Sequence, residues 1–120
     1  MNEDLAPCPT ELMASWLQMS DEALRDSQTE RNSNPTRCSA ALAAGYACAL
    51  HLIGPDAAKL GKDHPSERVL RTAAEVANVD VGPALLHLER QLHDPVNMPR
   101  LEEMSRWAHL MRRLVAGERA

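Results

Sequence analysis

NPTRCSAALAAGYACALHLIG, residues 34–54, reads as a helix with almost no polar face, and a helix that is apolar nearly all round has to be surrounded. Asn34 is placed to cap its start, Pro35 suits the first helical turn, and Gly54-Pro55 ends it. Two seams run along its length. Cys38, Ala41, Gly45, Cys48 and Leu52 form one of mostly small residues, while Leu42, Tyr46, Ala49 and Ile53 form a bulkier one. The small seam predicts the close approach of a neighbouring helix.

Working outward toward the amino terminus, TERNSNP is a polar connection, and the segment before it is helical. Pro9-Thr10 opens that helix, and Leu12, Met13, Trp16, Leu17, Ala23 and Leu24 recur at helical spacing as far as about Gln28. Ser20-Asp21-Glu22 also has the form of a fresh helix start, so residues 10–28 read either as one helix or as two with a kink.

Toward the carboxyl terminus, GPDAAKLGKD holds two glycines and a proline and reads as the longest surface loop. The next helix is expected to start near Asp63-His64-Pro65 and to bury Val69, Leu70, Ala73, Val76 and Ala77. Residues 78–83, NVDVGP, break it, and a further helix carries Leu85, Leu88 and Leu92 before Asp94-Pro95 ends it. In the last helix Leu101, Met104, Ala108, Met111 and Val115 follow a three-four spacing that Trp107 and Leu114 widen. Glu102 and Glu103 lie in its first turn and Arg112 and Arg113 in its last, as the helix dipole prefers, and Gly117 terminates it.

No stretch alternates with the period of a strand, and nothing repeats. The expected fold is therefore all-α, an up-and-down bundle of four to five helices around the Ala-rich central one. At 120 residues there is room for one core, so residues 1–120 form a single domain, with 1–9 and 117–120 expected as flexible tails.

Composition narrows the function classes. Arg37, Ser39, Gly45 and His51 interrupt the central helix, so no apolar run approaches the ~18 residues expected of a membrane span. The opening MNEDLAPCPTE is acidic and lacks the basic and apolar stretches of a secretion signal. Cysteines stand at 8, 38 and 48 with no CxxC pair, and a cytoplasmic protein is expected. Cys38 and Cys48 lie about 15 Å apart along one helix axis, too far for a disulfide. A net charge of -4 argues against a general affinity for nucleic-acid backbone. Residues 1–34 nonetheless hold seven acids against two bases, and residues 96–120 five bases against three acids, so the two ends are expected to attract each other.

Most chemical signatures are missing: there is no glycine-rich phosphate loop, no GxSxG elbow and no HExxH. The histidines at 51, 64, 87, 93 and 109 include no i, i+4 pair on one expected helix, so neither a metal site nor a cofactor is expected. Arg90 and His93, three apart, share a helix face, and a guanidinium beside an imidazole is a candidate phosphate binder and proton donor for RNA cleavage. The competing reading places both at the solvent-facing end of an amphipathic helix, with Arg90 paired to Asp94. Residues 72–92 have the outline of a helix-turn-helix, a DNA-binding alternative, although Gly82-Pro83 lengthens the turn and the second helix starts without bases.

The segment RCSAALAAGYACALHLIG, a polar loop, HPSERVL, a helix ending in RQLHDPVNMP and a long final helix together resemble the HEPN domains (higher eukaryote and prokaryote nucleotide-binding). The resemblance covers residues 12–116, with Gly45-Tyr46-Ala47 at the centre of the small-residue helix and His64-Pro65 opening the next. It implies a bundle that dimerises, with members ranging from RNA-cleaving toxins to noncatalytic partners of nucleotidyltransferases. RNase members carry an arginine followed after four to six residues by a histidine. Here two residues separate Arg90 from His93 and eight separate Arg100 from His109, so neither pair matches. The expectation is a noncatalytic, homodimeric interaction or ligand-binding module, with Tyr46 and Arg90 as candidate ligand contacts and a nucleotidyltransferase-type protein as a candidate partner. An RNase using Arg90 and His93 is the alternative.

Overall fold

The structure, a computed structural model, describes residues 9–57 and 66–117, which form five helices and no strand. They are α1 (Pro9–Ser27), α2 (Asn34–Ala57), α3 (Glu67–Ala77), α4 (Gly82–His93) and α5 (Leu101–Val115). The fold is all-α, as the periodicity predicts. Of the expected loop at 54–63, residues 54–57 continue as helix beyond the Gly54 kink, and the remainder, the start of the next helix at residues 63–65 and both tails except Pro9 and Gly117 lie outside the described residues. Pro9 itself belongs to α1.

The bundle is organised on α2, which packs against α1, α5 and α3. From Ala44 to Leu50 every residue is buried, so this segment meets protein on all sides. By length and composition α2 also passes as a membrane-span candidate over Asn34–Pro55, with a mean hydropathy of 1.3, so its apolar run is longer than the sequence reading allowed. More than half of that span, 56%, is buried by the other helices. Gly54 ends the regular geometry with φ 87° and ψ 166°, a conformation open to glycine and costly for any residue with a Cβ. The capping residue is Ser33 rather than Asn34. Its carbonyl accepts the Arg37 amide at 2.9 Å and its Oγ accepts the Thr36 amide at 3.3 Å. Serine and asparagine cap equally well, so Asn34 moves to the first helical position without loss.

The small seam does bring a helix close. The ring of Trp107 on α5 packs closely against Gly45, where an added Cβ would sit 2.2 Å from its Cζ3. On the α1 side, Ser20 Oγ lies 3.1 Å from Cys48 Sγ in the buried interface. Cys38 and Cys48 are both free thiols. Burial pushes the Cys48 thiol above its usual range, opposed by the Ser20 hydrogen bond, so it stays protonated as a small core residue.

α1 is one unbroken helix whose buried positions are Trp16, Ser20 and Ser27, with Ala23 half-buried between them. Its carboxyl end is tied to α2 by Arg37 Nε, which donates to the Ser27 carbonyl at 2.8 Å. Among the described residues the expected attraction between the acidic and basic ends takes the form of one bidentate contact, Arg112 to Asp21 at 2.8 and 3.4 Å. Both side chains are partly exposed, so it fixes geometry more than it adds stability.

The expected burial of Val76 is corrected, and the leucine at the end of the next apolar stripe is exposed as well. Val76 of α3 is 63% exposed and Leu92 of α4 is 79% exposed. α3 turns Val69, Leu70 and Ala73 inward, the half of its stripe that α2 covers. In α4 the inward residues are Ala84 and His87, continuing from Val81, while Leu85 and Leu88 are only half-buried. The cause lies in the packing of α4, whose principal neighbours are α5 and α3. That surface accepts small Ala84 and covers Leu85 and Leu88 in part, and among the described residues nothing reaches Leu92.

Candidate functional site

Because α4 leans on α5 and α3, a space opens between it and the α1–α2 pair. This recess of about 440 Å³ is walled by Trp16 and Met19 of α1, Leu42, Tyr46 and Leu50 of α2, and His87 and Gln91 of α4. Its volume falls within the range of small-molecule sites. A second recess of about 400 Å³ lies at the starts of α2 and α5, lined by Cys38, Met98, Pro99 and Leu101 among others. Ser39, His87 and Gln91 line both.

Tyr46 stands where the two requirements of the fold and the recess meet. Its ring lines the recess, and its hydroxyl accepts the Ser66 amide at 3.1 Å, pinning the entry to α3 against α2. Burial raises the phenol above its ordinary pKa, an effect the Ser66 amide partly offsets, so the hydroxyl stays protonated.

His87 is 2% exposed, and its Nδ1 is sealed from solvent without a hydrogen-bond partner among the described residues. Burial holds its pKa below the usual histidine value, so the ring is neutral at neutral pH. Sequence reasoning did not single out this residue. The available signal was the i, i+3, i+6 row Val81, Ala84, His87, which the more hydrophobic leucine stripe beside it outweighed.

The candidate pair Arg90 and His93 does not converge on a common recess. Arg90 donates through Nη1 to the Asn97 carbonyl, and Asn97 Nδ2 donates to Asp94 at 2.8 Å. The guanidinium thereby closes the turn after α4 and makes no ion pair with Asp94 among the described residues. His93 is exposed and borders an outer groove of about 690 Å³ with Glu67, Arg71 and Glu89. Two acids on that groove oppose the binding of a phosphate backbone. His109, the other spaced histidine, joins α1 to α5: its Nδ1 lies 2.8 Å from the Ser105 carbonyl and its Nε2 3.0 Å from Gln28 Nε2. Among the described residues no cluster of three or more histidines, cysteines or acids could hold a metal ion.

Comparison with protein families, with curated proteins and with solved structures gives no match. The functional reading therefore rests on the residues themselves.

Proposed function

We propose that the chain is a noncatalytic helical binding module of HEPN-like fold, cytoplasmic and homodimeric, which holds a ligand or partner and does not turn one over. The observation that carries this reading is the recess beside Tyr46. It has a ligand-sized volume and mostly apolar walls, and lies apart from the Arg90 turn and the exposed His93. Leu92 and Val96, both strongly exposed, offer apolar surface that a homodimer would cover. A nucleotidyltransferase-type protein is the partner class that the resemblance implies.

The test is to incubate the purified full chain with single-stranded and structured RNA while measuring its mass in solution. Intact RNA and a particle of twice the 13.2 kDa chain mass are expected. Cleavage that disappears in an Arg90→Ala, His93→Ala double variant would decide for the RNase alternative, and a monomer at every concentration would remove the dimer.

A further inference from the structure

The two recesses flanking α4 share Ser39, His87 and Gln91 in their linings and form two arms on either side of these residues. Among the described residues no carboxylate lines either arm, and the one cation on their walls is the exposed Arg100 of the second arm. The first arm is walled chiefly by Trp16, Leu42, Tyr46, Ala47 and Leu50. Such walls suit an uncharged occupant, since an ion placed there would lose its hydration with no counter-charge beside it.

His87 stands at the junction. Neither ring nitrogen makes a hydrogen bond among the described residues, and of the two only Nδ1 is fully sealed, which leaves Nε2 as the nitrogen in reach of the recess. A neutral imidazole carries one N–H and one lone pair. Sealing a bare N–H away from any acceptor is the less tolerated arrangement, so the proton belongs on Nε2, where an occupant can meet it. An N–H donor on a nearly buried ring, without an acceptor among the described residues and opening on a ligand-sized apolar space, specifies half of a contact. The missing half is a hydrogen-bond acceptor on an apolar body.

We infer that the recess binds an uncharged, chiefly apolar small molecule bearing a carbonyl group, with its body against Trp16, Leu42 and Leu50 and its oxygen accepting the hydrogen bond of His87 Nε2. The inference rests on the reading of the chain as a binding module and adds the chemistry of what is bound.

Three probes of one shape separate the contributions: 2-acetylnaphthalene carries the carbonyl, 2-ethylnaphthalene lacks it, and 2-naphthoate replaces it with a charge. Calorimetric titration of the full chain is expected to rank the ketone about tenfold above the hydrocarbon, one net hydrogen bond's worth, with the carboxylate weakest. In His87→Leu the ketone loses its advantage while the hydrocarbon still binds. Ala43→Trp, at an exposed position on the rim of the first arm, keeps the fold and abolishes binding of both, which preserves the test if the His87 variant does not fold. Equal affinity of ketone and hydrocarbon, a preference for the carboxylate, or binding unaffected by Ala43→Trp would overturn the inference. If no probe binds and RNA stays intact, the inference falls and the noncatalytic reading stands; RNA cleavage by the same preparation would bring down the reading itself.

Discussion

Gly45→Ala is expected to destabilise the protein by about 1–3 kcal/mol, the range for overpacking a filled core, and to lower its melting temperature by several degrees. The added methyl would meet the Trp107 ring at 2.2, 2.3 and 2.8 Å, distances no pair of carbon atoms tolerates. An aromatic ring cannot bend away as the end of a lysine can. Relief therefore requires α5 to withdraw from α2, which loosens Met104, Ala108 and Met111 together. Gly45→Leu should cost at least as much. Among the described residues the buried indole N–H of Trp107 has no hydrogen-bond partner, so packing, the glycine contact included, holds the ring in place. Trp107→Leu, itself destabilising, should remove much of the penalty of Gly45→Ala, giving a coupling well above the error of a double-mutant cycle. Additive effects in thermal or denaturant unfolding would show that the two residues do not touch.

The second large effect separates two residues that sequence periodicity treats alike. Leu70→Ala should cost about 2–5 kcal/mol, because the side chain is fully buried where α3 meets α2 and its loss leaves a cavity. Val76→Ala, six residues along the same helix, should shift stability by no more than about 0.5 kcal/mol, since the valine is mostly in water. Unfolding midpoints measured side by side decide the matter. Similar losses in the two variants would mean that Val76 is covered in solution, by a second copy of the chain or by residues 58–65.

The contrast between Leu70 and Val76 shows how far the sequence could be read. The central helix was legible because its signals are local: an apolar run of small residues, a proline in its first turn and a Gly-Pro at its end all act within a few residues. α5 was legible for the same reason, since its apolar stripe and the charges at its two ends agree. Periodicity identifies an apolar face but does not say whether another helix covers all of it. Val76 and Leu92 lie on such faces where α3 and α4 run past their neighbours, and both ended exposed.

The candidate site was harder to read, because what defines it is buried polarity and missing packing. Ser20 and Ser27 continue the buried row that Trp16 begins and Ala23 joins, at spacings of four, three and four, but hydroxyls carry no hydrophobic signal. His87 is buried through the way α4 leans on α5 and α3, a tertiary choice that residues 82–93 do not announce. Tyr46 was singled out through the family resemblance, at the centre of the small-residue helix. Its pairing with the Ser66 amide, across twenty residues of sequence, was not. Arg90 was read as a pair for Asp94, yet the turn after α4 offered the Asn97 carbonyl, a better-placed acceptor than the neighbouring carboxylate.

Everything above depends on α2 being the surrounded axis of the bundle, and native-state amide hydrogen exchange in aqueous buffer tests that most directly. Amides of residues 41–53 are expected to be the slowest in the chain, exchanging only when the whole bundle unfolds, and those of α4 should exchange faster because its outer face is uncovered. Exchange of residues 41–53 as fast as that of α4, or protection gained only when lipid vesicles are added, would contradict the account and place the apolar helix outside a folded bundle.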